Sequence, residues 1–251
     1  MCIKDLTKVM KKVIWLFTIV ILNINMLHAQ IGINEINIEM DSFSKIFSNT
    51  NPAETKLSNA KEWVAKTYGD YKAVLQLEDE ANCKLIIKGI NKLPSEQSIE
   101  AKGAIEIIRH PQLRYTLTID CKDDKYRIKL ENIRVEIKQL FYVIGSPTTS
   151  TRTYNIDEFY FNEDILKCET TINESTTQLK LLKAQDTNSM NKKEIRAYRK
   201  EISNEEEKLA TAQVQKEKLE KQKEIRMINL KKEIYNLVNS LIKSIESNDN
   251  F

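Results

Sequence analysis

The chain has 251 residues, yet only five are glycine, four proline and two histidine. Average usage is about 7% Gly and 5% Pro, so loop-built phosphate cradles have little material here. No GxGxxG, GxxxxGKS, GxxxxGKT or GxSxG stretch occurs, which removes the commonest nucleotide-binding and hydrolase signatures. There is no CxxC, and His110 is the single histidine beyond residue 30. Tetrahedral zinc wants several N or S ligands at close spacing, so no metal site is expected, and no cofactor either. With 41% apolar and 30% charged residues, the chain is neither membrane-embedded nor wholly disordered. Its length allows one or two domains with a sizeable core.

Residues 1–29 read as an export signal. Lys4, Lys8, Lys11 and Lys12 precede the apolar run Val13–Leu22, and Leu27-His28-Ala29 closes it, placing cleavage after Ala29. The run is shorter than the roughly 20 apolar residues of a spanning helix, so no stable membrane span is expected after cleavage. Retention as an anchor is the alternative, because Leu27 is bulkier than the small residue preferred near a cut. The formal charge of +3 belongs to this leader: residues 30–174 hold 19 basic and 23 acidic groups, residues 175–251 hold 16 and 12. Neither segment clusters Lys and Arg as nucleic-acid binding requires. The expected location is the periplasm or cell envelope, without nucleic acid as a partner.

Cys2 leaves with the leader, and Cys83, Cys121 and Cys168 remain. Their odd number leaves at least one thiol free or paired between molecules. An oxidising compartment permits one bridge, with Cys83 and Cys121 as the candidate disulfide pair because both sit on predicted strands. Three half-buried apolar cysteines are the alternative.

Asn51-Pro52-Ala53-Glu54 predicts a helix start with Asn51 as cap and Pro52 at the first helical position, and Gly69 supplies the stop. Leu57, Ala60, Val64 and Tyr68, with Trp63, form one apolar face. Tyr71–Leu77 and Cys83–Gly89 read as a hairpin around the acidic turn 78–82. Leu113, Tyr115, Leu117, Ile119 and Cys121 then alternate with polar residues. After Lys122–Lys125, Tyr126, Ile128 and Leu130 alternate on the return. Helices covering one face of an antiparallel sheet, an α+β fold, explain this pattern.

Ala60–Gly69, Lys72–Asp79, Ile86–Gly89, and Tyr115–Asp120 ahead of Lys125-Tyr126-Arg127 together resemble the bacterial domain of unknown function 4468, described as having a TBP-like fold. The resemblance covers residues 35–140 and the closing helix at Leu230–Ile245. It implies a curved antiparallel sheet with a helix after the first strand and another after the last, in exported proteins of unassigned role. It carries over no catalytic residues. Two departures stand out: Cys83 occupies a position where the pattern has glycine, and a long insertion precedes the closing helix. A TBP-like shape alone is no argument for DNA binding.

Residues 148–251 hold neither glycine nor proline. Up to Cys168 the stretch carries strand or loop signals such as Tyr154, Phe159, Tyr160 and Phe161. From Glu174 onward it reads as helix, with Asp186-Thr187-Asn188-Ser189 as the break and cap. Ile195, Ile202 and Leu209 recur by seven with Tyr198, Ala212 and Leu219 beside them, but Glu205 and Lys216 intrude on this coiled-coil stripe. The organisation expected is a signal at 1–29, a TBP-like domain at 30–174, a charged helical arm at 175–226 and a closing amphipathic helix at 227–251 that packs on the sheet.

Catalytic chemistry finds no foothold. Glu78-Asp79-Glu80 and Asp123-Asp124 lie in predicted surface turns, where solvation explains them. His110-Pro111 offers a base without a nucleophile near it in sequence. Tyr115, Tyr126, Tyr142, Tyr154 and Tyr160 interleave with Arg114, Arg127 and Arg134 as sheet core and charged outer surface. The reading is a non-catalytic envelope module, its binding residues unassigned, that holds another envelope protein or polymer or self-associates through the arm. The alternative is a small-molecule carrier using the concave side of the sheet. The polar, mixed outward row Arg114, Thr116, Thr118, Arg127, Lys129 and Glu131 favours the first, because small-ligand pockets are mostly apolar.

Overall fold

The computed structural model describes residues 31–38, 41–100, 105–143, 146–188 and 190–247; the export signal read at 1–29 lies outside them. Seven strands form one open antiparallel sheet: β1 (Phe43–Ser48), β2 (Leu75–Asp79), β3 (Lys84–Lys92), β4 (Glu96–Glu100), β5 (Ile105–Cys121), β6 (Lys125–Val143) and β7 (Ser146–Tyr154). The long hairpin β5–β6 is the spine. Near its turn the order is β1-β6-β5-β3-β2, while at the far end β4 pairs with β5 and β7 with β6. The described residues also hold a 3-10 turn at Ile33–Glu35 and five α-helices: α1 (Ala53–Tyr68), α2 (Tyr71–Val74), α3 (Ile156–Phe159), α4 (Asn162–Lys183) and α5 (Lys192–Glu246).

The alternation of the spine decides which face is covered. Leu113, Tyr115, Leu117, Ile119 and Cys121 on β5, and Tyr126, Ile128 and Leu130 on β6, are all buried. Asn132, at φ 53°, adds an extra residue where the β5–β6 register shifts between Arg114 and Thr116, and beyond this bulge Ile133, Val135 and Ile137 take over the buried positions. Pro111 does not end the strand. β3 pairs with β5 at residues 112–120 and β4 at 105–109, so Pro111 falls in the gap between the two ladders, where its missing N–H disturbs neither.

Several local expectations need correction. Tyr71–Val74 is a helical turn rather than strand, because Asp70 caps it through Ala73 N at 3.1 Å. Asn51 does not cap α1. Asp123, in the β5–β6 turn, accepts from Ala53 N at 3.1 Å instead, and fully buried Lys56 donates to the carbonyls of Asn49, Lys122 and Asp123. Phe159 ends α3, and Tyr160 and Phe161 turn the chain into α4, so helix starts well before Glu174. The cap of α5 is Asn191, which accepts from Lys193 N and Glu194 N while Glu194 reaches back to Asn191 N.

The core lies between the sheet and two helices. α1 contributes Leu57, Ala60, Trp63 and Val64, and the last third of α5 contributes Leu230, Ile234, Leu237, Val238, Leu241, Ile242 and Ile245. Each large apolar side chain so buried contributes roughly 1.5–3 kcal/mol. Polar contacts set the helices in register. Trp63 Nε1 donates to Ser240 Oγ at 3.1 Å, and Asn59 Nδ2 donates to the carbonyls of Ile245 and Ser247 at the end of α5. Tyr126 donates to Glu246 at 2.8 Å.

The first 35 residues of α5 leave the sheet and pair with α4, which runs back along them. On α5 the residues turned inward are 195, 198, 202, 205, 209, 212, 216 and 219, and on α4 they are 165, 168, 172, 175, 179 and 182. Both sets step by three and four, so the arm is an antiparallel helical hairpin with a heptad-spaced seam. Lys216 reaches Glu169 at 2.9 Å, and Tyr198 donates to Leu182 O at 2.8 Å. Ser175 Oγ and Glu205 Oε2 are buried in it without a hydrogen-bond partner.

Candidate functional site

Among the described residues no helix covers the outward face of the sheet. Its central rows are Lys84, Ile86, Lys88 and Ile90 on β3, Arg114, Thr116, Thr118 and Asp120 on β5, and Arg127, Lys129 and Glu131 on β6, each at a position alternate to the core. The outward residues named from the sequence are thus brought to one side of the sheet, with Thr118 buried among its neighbours. Their charges are largely paired: Arg127 grips Asp120 through Nε at 3.0 Å and Nη2 at 2.6 Å, Lys84 lies 3.6 Å from Asp120, and Lys129 lies 2.6 Å from Glu131. Arg114 and Arg134 face each other across the ladder, and Glu136 and Asp41 neutralise them.

Apolar side chains that sequence reasoning passed over interrupt this surface. Ile46, Leu77 and Ile90 are 61%, 44% and 48% exposed. Ile46 and Leu77 flank a shallow cleft of about 580 Å³ that Asp79, Lys84, Asp120, Lys122 and Arg127 also line. Alternation could have found Ile46, since buried Phe43 and Phe47 bracket it at the wrong parity for the core.

The other candidate groups are engaged in holding the fold. Glu78 turns to the core side, where Lys61 and Tyr71 bind it and draw its pKa below the usual carboxylate value. Glu80 also meets Lys61, at 2.7 Å, whereas Asp79 turns outward onto Asn82. The three carboxylates therefore diverge. Asp124 pairs with Lys125 at 3.4 Å, while Asp123 is committed to the cap of α1. Ser95 Oγ lies 2.9 Å from His110 Nδ1, a proximity no sequence spacing could show, but the pair is exposed to water.

Cys83 and Cys121 stand opposite each other. The Lys84↔Asp120 register continues to them, and Cys121 N donates to Cys83 O at 2.9 Å. Both thiols are free and buried, and burial pushes Cys121 up to about 12 and raises Cys83 as well. Cys83 adopts φ 47°, a left-handed conformation that favours glycine. Behind the same strand, Tyr115 lies over Gly89, bonds to Tyr68 OH and donates to Asn91 at 2.6 Å, and Asn91 in turn donates to Glu233 of α5 at 2.8 Å.

Residues 43–136 match the family model for DUF4468, a domain of unknown function with TBP-like fold. The match opens on the first residue of β1 and closes within β6, so it holds the open face and α1 but neither β7 nor the helical hairpin. The chain is similar in fold to the crystal structure of a TBP-like protein from Parabacteroides distasonis, with 10% identity over 82% of this chain and 92% of that one, at a TM-score of 0.39. A DUF4468 family protein from Bacteroides ovatus is 16% identical over 68% of this chain and 84% of that one, at a TM-score of 0.32. No curated protein matches the chain. DUF4468 carries no assigned activity in its description.

Proposed function

We propose that this protein is a non-catalytic binding module of the cell envelope, exported by its leader, that receives another protein or an envelope polymer on the open face of its sheet. The observation that carries the reading is the character of that face: broad, uncovered by any helix among the described residues, patterned with paired charges and interrupted by exposed Ile46, Leu77 and Ile90. Extended partners are recognised by such mixed surfaces, whereas small-ligand sites are concave and mostly apolar. A second reading, a carrier of small molecules, has one observation in its favour, the cleft beside Ile46 and Leu77.

Native mass spectrometry of protein purified from its own envelope separates the two. A co-purifying protein or polymer that is lost in the Arg127→Glu, Lys129→Glu double variant supports the module. A stoichiometric small ligand released by Leu77→Asp supports the carrier and overturns the first reading. The same sample reports export directly, because cleavage after Ala29 leaves Gln30 as the first residue.

A further inference from the structure

Among the described residues the sheet has four free edges, and three carry the devices that keep edges from pairing. β1 is six residues long and turns Lys45 to its core side, where Glu35 holds it. β2 is five residues long, is broken by a register shift between Leu75 and Leu77, and turns Glu78 inward. β4 is five residues long and commits Glu96 to Arg226. β7 has Pro147 at its second position, and beyond that proline it differs. It runs nine residues, its register with β6 is unbroken, and its single charge, Arg152, folds back over the Tyr154 ring at 4.8 Å.

Among the described residues nothing covers either face of this strand over most of its length, since Thr148 through Thr153 are exposed without alternation. Threonine suits a pleated strand, and an antiparallel ladder turns the N–H and C=O of alternate residues outward. The outer row of β7 therefore offers unpaired backbone donors and acceptors in a regular array. Tyr142, 43% exposed on β6, stands beside it.

We propose that the free edge of β7 pairs antiparallel with β7 of a second copy of this chain, joining two sheets across a two-fold axis. Identical strands run antiparallel are self-complementary: from Thr148 to Arg152, beyond Pro147 with its missing N–H, each outward donor of one copy meets an outward acceptor of the other, as a closed isologous interface requires. Charge allows it. About an axis at Ser150, Arg152 faces Thr148 of the second copy, so like charges do not meet. The inference concerns the edge alone and holds whether or not the open face receives a partner.

Analytical ultracentrifugation of the protein expressed in its own host, under reducing conditions so that Cys168 cross-links do not contribute, tests this. The expected result is a monomer–dimer equilibrium at micromolar concentration, with the dissociation constant raised at least about tenfold by Thr149→Lys with Thr151→Lys, because like charges opposed across a strand pair repel. Leu181→Lys with Val214→Lys, on the exposed surface of the helical hairpin, is expected to leave it unchanged. In hydrogen exchange on the unmodified chain, amides within Thr148–Thr153 should gain protection as concentration rises. A monomer at all concentrations, a dimer indifferent to the β7 substitutions, or a dimer lost with the hairpin substitutions overturns the proposal.

Discussion

Two positions on β3 show how single residues bear the fold. A Cβ on Gly89 would stand 2.3 Å from Cζ of Tyr115 and 2.6 Å from its hydroxyl, and that ring is held by Tyr68 and Asn91. Gly89→Ala is expected to cost about 1–3 kcal/mol, the penalty of overpacking a filled core, seen in urea denaturation as a lower midpoint at unchanged slope. At Cys83 the argument reverses. Its φ of 47° costs a residue with a Cβ about 1 kcal/mol, which offsets most of what the small buried thiol contributes. Cys83→Gly is therefore expected to lie within about 0.5 kcal/mol of the parent, whereas β-branched Cys83→Val should lose more than about 1 kcal/mol. The DUF4468 resemblance made the glycine preference at this position legible from the sequence. The close approach at Gly89 was not, because it depends on which residue of β5 lies opposite.

At the scale of elements, what could be read in the sequence follows from how each element is buried. The hairpin at 113–121 and 126–131 shows in its alternation, since one face meets the core and the other meets water. β7 shows only as an unresolved strand-or-loop signal ending at Tyr154, because Thr148–Thr153 are exposed on both faces and leave no period to detect. Tyr71–Val74 misleads through its apolar residues, while the cap at Asp70 decides its state. In α5 Glu205 and Lys216 interrupt the apolar stripe, yet Lys216 pairs with Glu169 across the hairpin, and beyond the seam Arg226 is structural too. It binds Glu96 of β4 through Nε and Nη2, donates to Phe159 O at 2.9 Å and stacks on Phe159 and Phe161. It joins the sheet to the root of the hairpin. Arg226→Met is expected to cost about 3 kcal/mol by leaving Glu96 and the Phe159 carbonyl without their partner. Arg226→Lys should recover little, because an ammonium has neither the fork nor the planar stacking surface. Hydrogen exchange should place the loss in β4 and the start of α4; a loss spread evenly over the sheet would contradict this role.

For the whole molecule, the same burial that closes the core makes its stability depend on alkaline pH. Burial is the leading cause that pushes Tyr68, Tyr71 and Tyr160 up to about 12 and raises Tyr115 and Tyr126 further; it also lifts Cys121 to about 12. Unfolded tyrosine ionises near 10 and cysteine near 8.5. A group whose folded pKa is raised binds its proton more tightly in the native state, so its contribution is complete below the unfolded value and disappears as pH climbs toward the folded one. Lys61, raised chiefly by its hydrogen bonds to Glu78 and Glu80, acts in the same direction. Lys56 acts oppositely: burial lowers its pKa, so the native chain gives up that proton first and gains stability as pH approaches the unfolded lysine value. Five tyrosines, a cysteine and Lys61 outweigh that single gain. The melting temperature should accordingly be flat from about pH 7 to 8.5 and fall steeply above about pH 10. Tyrosinate absorbance from the buried rings should then rise together with the loss of helical circular dichroism. If those five tyrosines titrated near pH 10 while the helical signal persisted, the closed packing of α1 and α5 on the sheet would be refuted.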